Sequence, residues 1–504
     1  MARKYTRRQF LGAASAGVGG IALLGLTACE SAENGSQPDA ARADGEAASR
    51  REGVQYFRSR PDLMMPEVEV LKSSGAAASG YLITAAKNGI GEEHPSQHGP
   101  MILDGEDASP VWLRPIAEAE VDAMDFRVQS YRGEPVLSWW EGTHGGWGQG
   151  EYVILDSSYR EVTRLGAVGY EGDHHEFLIT DRDTALIGIY SEEPVDLSPL
   201  GGPARATVME GILQEIDIAT GELLFEWRSL DHVGADESYY EISPEVEQPF
   251  DYFHINSIEV DDDENLLVSA RRTCAVYKID RESGELIWRL GGKKSDFEMT
   301  EGTRFFYQHD ARRQPDGSVT LFDNRGEGTG QTSRGIALKL DEQTMQASLL
   351  REYVHPDDIF GIFQGNLQRL PNDNVFIGWG SSPHLSEFSR DGQLIFDATF
   401  PEEAESYRSY RSPWKGLPEE EPAIAIEVAD DAGLTVYASY NGATELYEWE
   451  VLAGPSPDEL RPLNTFRRKG FETAMSVQTG EQYLVVRAKN RSGETLGSVS
   501  ERRD

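Results

Sequence analysis

The sequence predicts an all-β protein built as a six-bladed β-propeller with a small accessory β domain. Few stretches show sustained helical periodicity, and short alternating runs separated by Gly, Asp, Asn and Pro dominate the chain. One strand ending also recurs, with aspartates 61, 63 and 61 residues apart, at Asp156, Asp217, Asp280 and Asp341. A repeat of about this length is the signature of a propeller blade or a similar array.

Two weaker copies extend the repeat to six units, at residues 385–389 and 445–449. Each unit is interpreted as an inner strand, a return strand, the strand that ends in Asp, and an outer strand, which is the composition of a propeller blade. We assign the propeller to residues 119–469. A pair of β-sandwiches is the competing fold, but it does not explain the repeat.

The first residues are interpreted as a signal peptide, residues 1–28. Thr6-Arg7-Arg8-Gln9-Phe10-Leu11 is a twin-arginine pattern, and an apolar run leads to the lipobox-like Leu26-Thr27-Ala28-Cys29. Cys29 would carry the lipid, and residues 29–53 are polar enough for a flexible tether. This pattern predicts an extracytoplasmic protein, lipid-anchored to the outer face of the cell membrane after twin-arginine export. An ordinary membrane anchor is the alternative.

Two segments flank the predicted propeller. Residues 54–118 contain strand-like pieces, and residues 470–504 resemble a β-hairpin with a turn at Thr479-Gly480. We expect these two segments to form the accessory β domain together.

The charge of the chain limits its partners. The formal net charge is −39, whereas binding to nucleic acid or to anionic lipid requires a basic surface. The only expected membrane contact is therefore the lipid at Cys29. With two cysteines in the chain, a lipidated Cys29 leaves Cys274 unpaired, and we expect Cys274 to be a buried apolar residue.

Histidines mark one end of the predicted propeller. Three consecutive inner strands open with histidine, at His174-His175, His254 and His309, in a chain with ten histidines. The geometry of the fold brings these strand ends to one mouth of the central channel. Hairpin pairing places Arg271 beside His254, and two potential cations side by side favour an anion between them.

Neighbouring strand ends add aromatic and polar groups to this mouth. The expected substrate-binding side chains are Trp140, Asn256, Asn324, Arg334 and Trp379. The composition favours an aromatic ligand that bears an anion. The alternatives are a purely structural role for the histidines and a metal site. Metal is less favoured because no local ligand spacing is present and Arg271 would repel a cation, so we expect no metal or cofactor.

As a set, several motifs resemble the bacterial arylsulfotransferase (aryl-sulfate sulfotransferase) family, closest to the branch widespread in actinobacteria and fungi. They are Phe253-His254-Ile255-Asn256-Ser257, Ser269-Ala270-Arg271, Gln308-His309-Asp310, Phe322-Asp323-Asn324 and Ser333-Arg334. The resemblance implies a six-bladed propeller and transfer of sulfate from an aryl sulfate donor to a phenolic acceptor, without a nucleotide donor.

The resemblance also implies roles for individual residues. The sulfate-accepting histidine falls on His309, the other channel histidines on His254 and on His174 or His175, and the arginine on Arg271, although Arg272 is one residue away. Such a site would work through a sulfohistidine intermediate. Two other functions stay open: a non-catalytic lipid-tethered propeller that binds an aromatic or sugar anion, and an aryl sulfatase-like hydrolase.

Overall fold

The computed structural model describes residues 51–89, 91–242, 248–300, 302–326, 331–428 and 433–503. The predicted signal peptide, the lipidation site Cys29 and most of the tether lie outside the described residues. Within the described ranges, no helix has the length and apolar character that crossing a membrane requires.

The fold is all-β, as predicted, with 35 described strands. In chain order they are β1 (Glu69–Ser73), β2 (Tyr81–Asn88), β3 (Gly99–Leu103), β4 (Pro110–Leu113), β5 (Asp122–Tyr131), β6 (Glu134–His144), β7 (Gly148–Leu155), β8 (Glu161–Leu165), β9 (Phe177–Ile179), β10 (Thr184–Val195), β11 (Ala206–Asp217), β12 (Leu223–Arg228), β13 (Phe250–Asp251), β14 (Ile255–Val260), β15 (Leu266–Ala270), β16 (Ala275–Ile279), β17 (Leu286–Gly291) and β18 (Glu298–Met299). The second half continues with β19 (His309–Arg313), β20 (Val319–Asp323), β21 (Arg334–Asp341), β22 (Gln346–Tyr353), β23 (Asn366–Arg369), β24 (Val375–Gly378), β25 (His384–Phe388), β26 (Leu394–Thr399), β27 (Ala404–Glu405), β28 (Ser409–Ser412), β29 (Ala423–Val428), β30 (Gly433–Ser439), β31 (Glu448–Gly454), β32 (Arg461–Arg467), β33 (Glu472–Gln478), β34 (Tyr483–Lys489) and β35 (Thr495–Arg502). Short 3₁₀ turns cover Ser198–Leu200, Ser229–Asp231 and Ala235–Glu237.

Six antiparallel sheets follow one another in a propeller-like arrangement. Five of them are β5–β8, β9–β12, β14–β17, β19–β22 and β23–β26, and each is a meander of consecutive strands. Each sheet contacts the next through its first or second strand: β5 meets β9, β10 meets β14, β14 meets β19, and β20 meets β23. The predicted repeat corresponds to these sheets, because Asp156, Asp217, Asp280 and Asp341 each end or directly follow a third strand.

The repeated aspartate closes the turn to the outer strand. The Oδ1 atom of Asp280 accepts hydrogen bonds from the backbone N–H and the hydroxyl of Ser283, at 2.8 and 2.9 Å. Asp217 binds Thr220 in the same way. Gly284 and Gly221 follow with φ of 76° and 72°, a conformation that favours glycine. The sequence repeat at Asp217 and Asp280 therefore reflects the same tight turn between the third and outer strands.

The sixth sheet corrects the sequence prediction. Its inner strand is β28, which pairs with β2, and β3 and β4 follow outward. Segment 54–118 thus supplies three strands of this sheet, and β1 adds an edge strand to the fifth sheet by pairing with β26. The predicted sixth unit at 445–449 belongs elsewhere. The sixth sheet contacts β24 through β28 and contacts β5 through β28 and β2.

The C-terminal strands form two further sheets, β29-β30-β33 and β32-β31-β34-β35. They enclose their own hydrophobic core, which includes Val436, Trp449, Met475 and Val486. The expected hairpin and shared terminal domain are therefore wrong: β33 and β34 lie in different sheets, and neither pairs with a strand of segment 54–118. Alternation in β33 and β34 is equally compatible with both arrangements, since each strand has one buried face.

Candidate functional site

Three predicted histidines meet at the start of consecutive inner strands. His309 is the first residue of β19, His254 directly precedes β14, and His175 lies two residues before β9. All three side chains are buried. The rings of His175 and His254 are edge to face with centroids 4.8 Å apart, and both rings influence the pKa of His309. The structure thus brings the predicted imidazoles together.

His309 is held in one tautomer. Its Nδ1 atom lies 2.7 Å from Oδ1 of Asn324. The Asn324 amide nitrogen donates to the carbonyls of Gly361 at 2.8 Å and Gln364 at 2.9 Å, so the oxygen of this amide must face the ring. His309 therefore donates through Nδ1–H, and Nε2 keeps its lone pair. Nε2 accepts a long hydrogen bond, 3.3 Å, from the backbone N–H of Gln364.

His309 is also uncharged at neutral pH. Burial lowers its pKa well below 6.5, and the positive charge of Arg271 lowers it further. An unprotonated Nε2 lone pair on a fixed ring is what a nitrogen nucleophile requires.

His254 has a carboxylate partner that the sequence prediction missed. Its Nδ1 lies 2.6 Å from Oδ2 of Asp251, three residues earlier in the chain. Burial lowers the pKa of His254 to about 4, although Asp251 opposes this shift. The residue has φ of 59°, a left-handed conformation that is uncommon for a non-glycine residue. The surrounding contacts hold it there, and strained residues of this kind cluster at functional sites.

His174 and His175 were alternative candidates for the third histidine of the cluster, and the two residues differ in their partners. Nδ1 of His175 lies 2.5 Å from Oδ1 of Asp173, whereas Nδ1 of His174 is buried without a hydrogen-bond partner. The two rings stack 4.0 Å apart, and the Trp140 ring lies 5.4 Å from His174. His175 packs against His254, and His174 packs against His175.

The two adjacent arginines, Arg271 and Arg272, have different hydrogen-bond partners. Arg272 donates to Oδ2 of Asp251 at 3.0 Å and lies over the Tyr240 ring. Arg271 forms no ion pair among the described residues. Its Nη2 donates to the carbonyl of Ile362 at 3.1 Å, and its Nε is buried without a hydrogen-bond partner. Burial and Arg272 lower the pKa of Arg271 to about 10, so Arg271 remains a cation at neutral pH and is available to bind an anion.

A network of buried ion pairs adjoins the histidines; it consists of Glu176, Arg127, Arg312 and Arg408, and we call it the ion-pair floor. Glu176 follows His175 and binds Arg127 at 2.6 Å and Arg312 at 2.5 Å. Arg408, just before β28, lies 3.4 Å from Glu176 and donates to the Asn256 carbonyl at 2.7 Å. Burial alone would raise the pKa of Glu176, but the three arginines hold it well below its usual range. The ion-pair floor therefore joins the first, second, third, fourth and sixth sheets through their inner strands.

Three tyrosines complete the walls of the site. Tyr190 lies 5.4 Å from His175 and 5.6 Å from His254, Tyr407 faces His174 and His175, and Tyr307 lies 5.0 Å from the Arg271 guanidinium. Burial raises the pKa of Tyr190 and of Tyr407 well above 10, so both phenols stay neutral. These aromatic walls suit a planar aromatic group.

Some predicted substrate-binding residues have their polar groups engaged elsewhere. Arg334 binds Asp323 at 3.0 Å and Glu352 at 2.7 Å. The Trp379 indole donates to Ser386 at 2.9 Å, Asn256 donates to the Gln308 carbonyl at 2.6 Å, and Trp140 donates to Gly172 at 2.9 Å. Arg334, Trp379 and Asn256 lie at or near strand ends as predicted, whereas Trp140 lies in the middle of β6, and all four side chains pack within or between sheets. Of the predicted set, Asn324 alone hydrogen-bonds a histidine of the cluster.

Two groups of described residues have the composition of a metal site. One is Asp173, His174 and His175, and the other is His355, His384 and Asp397. In the first group, Asp173 already binds the His175 ring and lies beside the cluster that holds Arg271, which would repel a cation. The second group lies outside the histidine cluster.

Comparison with protein families decides the identity. The arylsulfotransferase (ASST) family model matches residues 127–401, more than half of the 504-residue chain. The chain belongs to the arylsulfotransferase family. The matched region contains the histidine cluster, Arg271 and Asn324, so the predicted resemblance is confirmed. Arylsulfotransferases in general use an aryl sulfate donor and a phenol acceptor, and membership implies a sulfotransferase.

Other comparisons give only distant similarity. A protein of unknown function from Bacteroides caccae is 14% identical, with 66% of this chain and 98% of that chain covered and a TM-score of 0.40. A streptogramin B lyase is 10% identical, with coverages of 73% and 94% and a TM-score of 0.34. Regucalcin from Agrobacterium tumefaciens is 14% identical, with coverages of 68% and 88% and a TM-score of 0.29. No curated protein gives a significant match.

Proposed function

We propose that this arylsulfotransferase moves a sulfuryl group from an aryl sulfate ester to a phenolic acceptor through a sulfohistidine on His309, without a nucleotide donor. The observation that carries the proposal is the hydrogen bond from His309 Nδ1 to Asn324, which leaves an unprotonated Nε2 on a buried, immobile ring. Family membership supports the reaction class.

In the first half-reaction, the Nε2 lone pair attacks the sulfur of the donor. A nitrogen–sulfur bond forms, the sulfur–oxygen bond to the aryl group breaks, and the electron pair leaves with the phenolate oxygen. The incoming sulfuryl group displaces the 3.3 Å hydrogen bond that Gln364 donates to Nε2. Ring orientation is already fixed, so little entropy is lost when the reacting atoms align.

His254 is the proposed proton carrier. The anionic donor, together with Asp251, raises the pKa of His254 from about 4, so that its ring can bring a proton to the departing phenolate. In the second half-reaction the acceptor phenol returns a proton to His254. The oxygen of the acceptor phenol attacks the sulfur, the nitrogen–sulfur bond breaks, and Nε2 of His309 regains its lone pair.

Arg271 is the proposed ligand of the sulfuryl oxygens. It is a buried cation without a carboxylate partner in the described part of the chain, whereas its neighbour Arg272 is paired with Asp251. Sulfuryl transfer, like phosphoryl transfer, depends on in-line positioning and on neutralising negative charge. Arg271 supplies that charge next to His309.

The six sheets are the proposed blades of a six-bladed propeller. Support comes from the contacts of each sheet with the next and of β28 and β2 with β5, which complete a cycle. We also propose the extracytoplasmic, lipid-anchored location, supported by the twin-arginine pattern and the lipobox-like Cys29. A Cys29→Ser variant should then leave the membrane fraction or stay unprocessed.

One assay tests the reaction. Purified protein is incubated with a chromogenic aryl sulfate, with and without added phenol, and both released chromophore and sulfated phenol are measured. A transferase needs the phenol for turnover and forms the new ester stoichiometrically. Turnover without phenol would indicate a hydrolase, and no turnover with any aryl sulfate would indicate a binding protein.

A further inference from the structure

A second cluster of ionisable side chains lies between the fourth and fifth sheets. His384 begins β25, Asp397 lies on the neighbouring strand β26, and His355 follows β22 by two residues. Oδ2 of Asp397 lies 3.3 Å from Nε2 of His355 and 3.4 Å from Nδ1 of His384. His355 and Asp397 are buried, and the His384 side chain is partly exposed.

Neighbouring groups orient Asp397. Its Oδ1 accepts a hydrogen bond of 2.8 Å from Ser386, whose hydroxyl in turn accepts one of 2.9 Å from the Trp379 indole. The other oxygen, Oδ2, lies within 3.4 Å of both imidazoles, and Nδ1 of His384 is also 3.4 Å from Oδ1.

Hydrogen bonding accounts for only part of this geometry. Nδ1 of His384 makes one long hydrogen bond, 3.4 Å, with Oδ1 of Asp397. Nε2 of His355 is buried and makes no hydrogen bond of acceptable geometry in the described part of the protein, although the Asp397 carboxylate is within 3.3 Å. Leaving such a group unsatisfied is costly. Two ligand atoms bound to one tetrahedral zinc ion at about 2.0–2.1 Å lie about 3.3–3.5 Å apart. The observed separations of 3.3 and 3.4 Å match that spacing.

We propose that His355, His384 and Asp397 bind a divalent transition-metal ion, with Zn²⁺ as the ion that this ligand set favours. Two imidazoles and one carboxylate are ligands that zinc accepts, and the three ligand atoms lie within 4.8 Å of one another. Three protein ligands leave one coordination position for water. The ion offsets the buried negative charge of Asp397.

Metal binding at Nε2 of His355 requires the ring proton to lie on Nδ1, where it needs a hydrogen-bond acceptor. At present its Nδ1 accepts a hydrogen bond of 3.2 Å from the Asp357 backbone N–H. A metal at Nε2 moves the ring proton to Nδ1. The Asp357 backbone N–H then gives up its hydrogen bond to Nδ1. The Asp357 carboxylate, which lies 3.9 Å from Nδ1 and is 81% exposed, turns to accept a hydrogen bond from the new Nδ1–H. A carboxylate behind a ligating histidine is a common partner in zinc sites.

The position of the site gives the ion a structural role. His355 begins the connection from β22 to β23, and later residues of that connection contact the catalytic cluster. The carbonyls of Gly361 and Gln364 hold Asn324, and the carbonyl of Ile362 holds Arg271. An ion that ties His355 to the fifth sheet therefore fixes one end of the segment that positions His309 and Arg271.

Cobalt spectroscopy tests this site independently of enzyme activity. The full chain is stripped with a chelator and titrated with Co²⁺, whose visible d–d absorption reports a site with nitrogen and oxygen ligands, and Zn²⁺ then displaces it. We expect saturation at one Co²⁺ per chain and an increase of Tm with Zn²⁺. His384→Ala and Asp397→Asn should weaken binding at least about tenfold.

His175→Ala is the matched control, because it removes a ligand from the Asp173, His174 and His175 group and should leave the cobalt signal unchanged. His384 is partly exposed, so its variant should keep the fold, which circular dichroism of the metal-free protein checks. The proposal is overturned if the wild type shows no saturable signal, or if the signal survives His384→Ala and disappears in His175→Ala.

Discussion

Asn324 accepts the Nδ1–H hydrogen bond of His309 at 2.7 Å, while both hydrogens of its own amide are held by the carbonyls of Gly361 and Gln364. Asn324 directly follows β20, and His309 begins β19, so the pair lies at one end of one hairpin. This contact sets the tautomer of His309, and with it the nitrogen that faces substrate.

Replacing Asn324 should therefore impair chemistry more than binding. We expect Asn324→Ala to lower kcat about 10- to 100-fold with little change in the KM for the donor, because the wrong tautomer becomes accessible. Asn324→Asp restores an acceptor but adds a negative charge, so it should recover part of the activity and move the acid limb of the pH profile upward. Steady-state kinetics against pH measure both effects.

Asn374→Ala is the matched control for this pair. Asn374 is also a buried asparagine, but it binds Glu387 at 2.7 Å on the fifth sheet. Equal losses in the Asn324 and Asn374 variants, or an unchanged pH profile in Asn324→Asp, would show that Asn324 has only a structural role.

Substitution of Arg271 and of Arg272 should lower the activity to different extents. Arg271→Ala removes the unpaired cation and should lower kcat/KM roughly 100- to 1000-fold, as is typical when one electrostatic donor to a transition state is lost. Arg272→Ala acts on His254 only through Asp251, so we expect a loss of about tenfold. Kinetics of the two variants with one donor measure the difference. The reverse order of effects would identify Arg272 as the ligand of the sulfuryl oxygens.

Buried histidines should make the protein sensitive to acid. The folded-state pKa values of His174 and His309 are well below 6.5 and that of His254 is about 4, whereas the unfolded chain titrates near 6.5. The unfolded state therefore binds more protons between about pH 6.5 and 4, and stability is lost as the pH falls through this window. Each such histidine contributes up to about 1.4 kcal/mol per pH unit.

A His174→Gln variant removes one of these titrating side chains, so it isolates the contribution of His174 to the pH dependence of stability. Denaturant unfolding from pH 8 to pH 5 should show a stability curve that is parallel to that of the wild type near pH 8 and flatter than it below about pH 6.5. Curves that stay parallel down to pH 5 would mean that His174 is not buried in its neutral form.

The histidine cluster was predictable because it depends on local register. A histidine at the start of an inner strand has one position in a blade, so His254 and His309 could be placed from the repeat alone. Asp251 and Asp173 were missed, although each lies within three residues before its histidine, and an acidic residue at that spacing was the available signal. The partners of Arg334 and Trp379 within their sheets were not predicted, because a strand end does not determine which way its side chain points.

The closing sheet was not predictable from local signals. Its inner strand β28 pairs with β2, more than 300 residues earlier, and no short-range pattern specifies that partner. The apparent sixth repeat at 445–449 satisfied the same alternation but belongs to the C-terminal sheets. As a result Tyr407 and Arg408, which directly precede β28, were absent from the predicted site, although they border the histidines and the ion-pair floor.

The sulfohistidine can be sought directly. Wild-type protein is mixed with an aryl sulfate alone, quenched rapidly at neutral to basic pH, and digested for mass spectrometry. We expect one sulfuryl group on the peptide that contains His309, and none in His309→Ala, which should also lack both donor cleavage and transfer. Modification of a different residue, or full activity in His309→Ala, would contradict the assignment of His309 as the nucleophile.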